Sequence, residues 1–193
     1  MFDGRLVRLR LLESRDLPDL MRFSRDYAVQ RVSSDDEGLP LPEDRLAKWL
    51  AGLSSRDDLR QFGIETVEDG RLVGTGQLAF INWRCRSACL GIEIGDRAAW
   101  GKGYGPEAIR LLLRLAFCGL GLNRVEIGTY EFNPRALRCF EKAGFVCEGA
   151  LRQNVYREGR FYDEVIMSML AAEYRARYGG GGEGGGEGGD SGP

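Results

Sequence analysis

Residues 88–121 constrain the fold more than any other part of the chain, because they pass from strand to helix with only a glycine-rich turn between. "ACLGIEIG" (88–95) is an apolar run of strand length, and "WGKGYGPEAI" (100–109) then places glycine at 101, 103 and 105. Behind the glycines, Ile109, Leu112, Leu113, Ala116, Phe117 and Leu120 form one helical stripe, with Arg110 and Arg114 off it. Pro106 lies in the first turn, which tolerates a missing N–H, and Gly119 and Gly121 end the helix. "NRVEIGTY" (123–130) follows as another strand. Strand, helix and strand in that order predict a parallel pair joined by a right-handed crossover.

The flanks extend this centre. "LVRLRLL" (6–12) alternates as an opening strand, and Ser14 reads as the N-cap of a helix bearing Leu17, Leu20, Met21 and Phe23. "SSDDEGLPLP" (33–42) reads as a polar loop, and "EDRLAKWLAGL" (43–53) as a helix with Leu46, Trp49, Leu50 and Leu53 on one face. "FGIETV" and "RLVGTGQLAFI" flank Glu68-Asp69-Gly70, a hairpin signal. Asn133 and Pro134 cap and open a short helix in "NPRALRCFEKAG", and "NVYREGRFYDEVIMSML" closes as a hairpin turning at Glu158-Gly159. The expectation is one mixed α/β domain over 1–175. A Gly-rich acidic tail over 176–193 cannot bury anything and is expected to be disordered.

The chain contains no histidine. That removes Ser-His-Asp and Cys-His catalysis, His-ligated zinc chemistry and any imidazole base. Carboxylates, tyrosines, backbone amides or the substrate's own groups must serve instead. The five cysteines are odd in number and scattered; Cys85 and Cys89 have no second pair, so buried free thiols are expected and no metal. Outside the last fifteen residues, 27 Lys and Arg stand against 26 acids, so no basic field points to nucleic acid. No apolar run approaches the roughly 18 residues of a membrane span, and the N-terminus lacks a signal-peptide pattern. A cytoplasmic location is the default expectation.

Alternating glycines at a helix mouth suit an anion, because bare N–H groups converge there. A triphosphate loop of the G-x-x-x-x-G-K-[ST] type fails: from Gly95 the next Gly-Lys falls one residue late, and Gly103 replaces the hydroxyl. The dinucleotide spacing G-x-G-x-x-G is absent too. What remains is a diphosphate cradle for coenzyme A made by the amides of 101–105, or a tight turn that binds nothing. Glu93 lies within the apolar strand directly before the loop. It reads as a general base, or as the solvated outer face of that strand.

"GIEIGDRAAWGKGYGPEAIRLLLRLAF", "GLNRVEIGTYEFNPRALRCFEKAGFVCEGALRQ" and "GRFYDEVIMSML" together resemble the GNAT superfamily of acetyl-CoA-dependent N-acetyltransferases, within it the RimJ/RimL-like branch. The resemblance is dense from Gly91 to Leu170. It implies an α+β (mixed α/β) acyl-CoA N-acyltransferase fold, with a mixed central sheet of about six to seven strands and helices on both faces. It further implies that Gly101, Lys102, Gly103, Tyr104 and Gly105 offer amides to the coenzyme A diphosphate. The strands at 90–95 and 125–130 would splay around the pantetheine arm, and backbone near Ile92 to Ile94 would stabilise the oxyanion. Asn133 and Lys142 would lie along the coenzyme; read bottom-up, Asn133 is also an N-cap and Lys142 a solvated charge at a helix end.

Such a reaction moves the acetyl group of acetyl-CoA directly to a primary amine, with no metal. A protonated amine must lose a proton before it attacks, which gives Glu93 its task. Where the family places a tyrosine to reprotonate the thiolate, this chain has Phe140. Tyr130 and Tyr104 are the stand-ins, and a thiol of pKa about 8.5 also leaves with a proton from water. Asp35 and Asp36, with Glu37, are placed to attract a cationic acceptor such as a polyamine or a basic protein N-terminus, or form a plain solvated loop. Tyr162, Asp163 and Glu164 invite the same comparison. A non-catalytic acyl-CoA-binding or sensing domain is the alternative, no membrane partner is expected, and a homodimer is left open.

Overall fold

The computed structural model describes residues 2–33 and 41–179. In chain order the elements are β1 (Phe2–Asp3), β2 (Val7–Arg10), α1 (Leu17–Arg25), α2 (Tyr27–Ser33), α3 (Glu43–Gly52), β3 (Arg60–Thr66) and β4 (Leu72–Asn82). Then come β5 (Ser87–Glu93), α4 (Tyr104–Arg114), β6 (Arg124–Tyr130), α5 (Pro134–Ala143), β7 (Val146–Arg157), β8 (Arg160–Leu170) and α6 (Ala171–Tyr178). The strands form one sheet of eight in the order β1-β2-β3-β4-β5-β6-β8-β7. That is more than the six to seven expected; the two-residue β1 is too short to leave a pattern in sequence.

The β5–β6 pair is parallel, as a strand–helix–strand unit requires, and every other pair is antiparallel. Two apolar clusters flank the sheet. The larger joins Ile109, Leu112 and Leu113 of α4 and Phe140 of α5 to Ile64, Leu78, Leu90 and Ile127. The smaller joins Leu20 and Phe23 of α1, Leu46 of α3 and Leu72. Ile64 and Leu72 project to opposite faces, which gives helices on both sides.

Several local expectations are corrected. Ser14 is not the cap of the first helix: the Glu13 N–H donates to Asp16 Oδ2 at 2.8 Å, and a 3₁₀ turn over Ser14–Asp16 leads into α1. Residues 27–33 form α2, a helix too short and with too little apolar periodicity to show in the sequence. Trp49 is 40% exposed, off the buried side of α3. The helix behind the glycines leaves α geometry at Leu115 and finishes as a π turn through Gly119. None of the five cysteines forms a disulfide, but none is fully buried, so the expected burial fails. The last helix runs from Ala171 to Tyr178.

Glu107, in the first turn of α4, is buried and ties the N-terminus to the core. Its carboxylate accepts the N–H of Arg5 (3.0 Å), Leu6 (2.5 Å) and Val7 (2.8 Å), and Arg110 Nη2 donates to it at 2.9 Å. Burial raises its pKa, yet the three amide donors outweigh burial and hold it below the usual carboxylate range. Glu107→Ala should cost about 2 kcal/mol in urea unfolding, since it leaves the buried Val7 amide unpaired and takes the acceptor from the part-buried Arg5 and Leu6 amides. A carboxylate with a lowered folded pKa stabilises above its unfolded pKa and loses that contribution as pH falls through the folded value. The wild-type urea midpoint should therefore drop below about pH 4.5, and Glu107→Ala should lack that component.

Candidate active site

β5 and β6 share only three register pairs, Ser87–Arg124, Ala88–Val125 and Cys89–Glu126. Beyond Cys89, β5 stays paired to β4 as far as Glu93–Thr75, while β6 stays paired to β8 as far as Tyr130–Glu164. The two strands therefore diverge with one edge each turned to the gap. α2 packs against both strands on one side of the split. The chain leaves β5 through a short turn capped by Asp96, whose Oδ1 accepts the Ala98 N–H at 2.9 Å, and reaches the glycine loop. Gly101 (φ +77°) and Gly103 (φ +85°) take left-handed backbone that a side chain would strain; Gly103 is the N-cap of α4.

A cavity of about 420 Å³ fills the wedge. Its walls include Ile92, Glu93 and Ile94 from β5 and its exit, Trp100, Gly101, Gly103, Tyr104 and Gly105 from the loop, and Asn133 and Lys142 from α5 and its cap. Val29, Val32 and Ser33 of α2 close the remaining side. A larger open hollow of about 810 Å³ lies beside α1 and Arg97, but it contains none of the glycine-loop residues.

Glu93 is the one carboxylate among the described residues lining the cavity. Ser33 Oγ donates to its Oε2 at 2.5 Å. Burial pushes the Glu93 pKa above the ordinary carboxylate value, and the Ser33 hydroxyl pulls the other way. A raised pKa moves a carboxylate toward the range in which a base works best near neutral pH.

The structure brings together most of the residues expected from sequence: Ile92, Glu93, Ile94, Gly101, Gly103, Tyr104, Gly105, Asn133 and Lys142 share the cavity. Lys102 is exposed outside the lining. Tyr130 is buried, stacked on Phe132 at 5.1 Å, and is not a wall residue. Asp35 and Asp36 lie outside the described residues. Asn133 is an N-cap, its Oδ1 accepting the Ala136 N–H at 3.3 Å.

Three further residues of the wall are not among those expected from sequence. Arg135 and Arg138 join Lys142 on the cavity side of α5, and none of the three makes an ion pair among the described residues. Their spacing of three and four residues along one helix face was the available signal. The Arg135 guanidinium lies 3.8 Å from the centre of the Trp100 ring, whose Nε1 donates to Ile94 O at 2.6 Å. Ser33, the third, carries no sequence signal, since α2 is too short to show a helical pattern.

The family described as "Acetyltransferase (GNAT) domain" matches residues 6–146. The chain belongs to the GNAT acetyltransferase family. "Probable N-acetyltransferase YjcK" of Bacillus subtilis is 34% identical over 180 residues, 88% of this chain and 97% of that protein. A spermidine N(1)-acetyltransferase of Vibrio cholerae is 32% identical over 118 residues, 61% of this chain and 67% of that protein. The crystal structure of spermidine N-acetyltransferase from Vibrio cholerae in complex with CoA and spermine superposes with a TM-score of 0.81 at 27% identity. It covers 88% of this chain and 98% of that one. This acetyltransferase uses acetyl-CoA and acetylates an amine; the sensing-domain alternative finds no support among these relatives.

The walls fit that donor. The open edges of β5 and β6 suit an arm of alternating amides, which can add in the manner of a strand. The α5 cations and the α4 N-terminus suit phosphates. Gly105 makes the most specific case. It sits in the first helical turn without a positive φ, and a Cβ there would find its nearest atom, Ile94 Cγ1, at an ordinary 3.8 Å. Among the described residues nothing requires glycine at 105, which lies on the cavity wall. Gly105→Ala should leave the melting temperature unchanged or higher, as helix propensity predicts. It should weaken acetyl-CoA binding at least tenfold by calorimetry.

Proposed function

We propose that this acetyltransferase acts on a cationic aliphatic polyamine, with Glu93 as general base. The observation that carries the reading is the division of charge along the cavity: α5 lines one side with Arg135, Arg138 and Lys142, and the α2 side holds Glu93. Phosphates belong at the first and an ammonium group at the second. The spermidine-acetylating relatives support the same acceptor class. Glu93 takes a proton from the bound ammonium and the freed nitrogen attacks the thioester carbonyl carbon; as the tetrahedral intermediate collapses, the C–S bond breaks, the coenzyme thiolate leaves, and the new amide nitrogen gives its surplus proton to water. Backbone at Ile92 to Ile94 faces the developing oxyanion. Phe140 provides no acidic hydrogen, so the thiolate takes its proton from water, as a leaving group of pKa about 8.5 can. Asp35 and Asp36 carry charge of the sign that suits a polyamine's further ammonium groups.

The RimJ/RimL-like reading, with a protein N-terminus as acceptor, draws on the motifs between Gly91 and Leu170. A thiol-release assay separates the two. Spermidine and spermine should turn over at least tenfold faster, by kcat/KM, than peptides with basic or small N-terminal residues. The reverse order overturns the polyamine assignment. Glu93→Gln should lower kcat by about 10²–10⁴ while acetyl-CoA affinity stays within twofold. For the wild type, a base with a raised pKa predicts a rate that climbs with pH through a midpoint above the ordinary carboxylate value of 4.5. That acid limb should vanish in Glu93→Gln.

A further inference from the structure

We infer that Ser33 is a positioning residue for Glu93, held in place by Glu158 at the tip of the β7–β8 hairpin. The inference rests on Glu93 being the base. α2 is the link. Tyr27 and Arg31 lie one turn apart on one side of this short helix, and at 100° per residue Val29 and Ser33 fall on the opposite side. Val29 and Ser33 line the cavity, and Ser33 Oγ donates to Glu93 Oε2 at 2.5 Å.

The other side of α2 is clasped by a distant part of the chain. Arg31 Nε donates to Glu158 Oε1 at 2.7 Å and Arg31 Nη2 to Oε2 at 3.2 Å, while Tyr27 Oη donates to Oε1 at 3.0 Å. The Arg31 guanidinium also lies 5.0 Å from the centre of the Phe132 ring. Glu158 reaches α2 from an uncommon backbone: it has φ +52°, with Gly159 next at φ +83°. Paired left-handed residues suit a two-residue hairpin turn, but asparagine, aspartate or glycine is the usual first residue. A glutamate there fits a role for its carboxylate outside the turn. Hydrogen bonds from Arg31, then Tyr27, hold the Glu158 pKa down, so the clasp persists across the range in which Glu93 titrates.

The other titratable or charged groups on the cavity wall are Tyr104 from α4, and Arg135, Arg138, Cys139 and Lys142 from α5. β4 presents Thr75 opposite Glu93 in register, and Arg31 points away to the hairpin. None of these hydrogen-bonds to Glu93 among the described residues, whereas Ser33 does.

The test follows the acid limb of kcat/KM for the amine in the full chain. Ser33→Ala removes a donor to the carboxylate and should move the limb up by about one pH unit, and Ser33→Thr should restore it. Glu158→Ala and Arg31→Ala should move it in the same direction, with acetyl-CoA affinity unchanged by calorimetry. If Glu93→Gln abolishes the limb but Ser33→Ala leaves it in place, the positioning role of Ser33 is overturned and the base assignment stands. If Ser33→Ala moves the limb and Glu158→Ala does not, the hairpin has no part in it. A limb that survives Glu93→Gln overturns the base assignment and this inference with it.

Discussion

The parting of β5 from β6 after Cys89 is the constraint on which the rest depends. A continuous parallel pair would satisfy both backbones and leave no cavity. Here each strand is held by its outer neighbour, β4 on one side and β8 on the other, so the inner edges separate without either strand losing its place. The glycine loop and α4 begin where β5 ends, and α5 begins just beyond β6. The split thus sets the distance between the helix N-terminus and the cationic helix face that together form the walls.

Glu107 shows how the same helix serves two neighbours. The N-terminus of α4 carries positive partial charge toward the cavity, and a free carboxylate in its first turn would oppose an anion there. The Glu107 carboxylate is instead turned to the Arg5, Leu6 and Val7 amides, which occupy it and fasten β2 beneath the helix. One acid stabilises the fold, and the amides of Tyr104 and Gly105, on the cavity wall, stay available to the site.

The middle of the chain was legible because its signals were strong and local. A strand, three glycines and an unbroken helical stripe admitted few arrangements, and Asn133-Pro134 marked the next helix without ambiguity. Glu93 stood out as an acid in an apolar strand. The α2 side of the cavity was not legible. α2 is seven residues long and lacks a clear apolar face, so its helix depends on packing across β5 and β6 and on the distant Glu158, neither of which a window of sequence contains. Arg135 and Arg138 were readable as a cationic face, but only the fold shows that this face borders the cavity. Ser14 misled because the true partner of the first turn, Asp16, is engaged by Arg10 from β2 at 2.7 Å through both oxygens.

The sheet order also bears on when the protein becomes an enzyme during synthesis. β8, the last strand, inserts between β6 and β7 and pairs with β6 along its whole length, from Arg124–Leu170 to Tyr130–Glu164. Until the ribosome has released residue 170, β6 has no outer neighbour, and nothing holds its edge away from β5. The hairpin tip that clasps α2 is made just ahead of β8. A nascent chain can form the β3–β5 meander early, since those contacts are local, but the cavity between β5 and β6 takes its final shape only with the last strand.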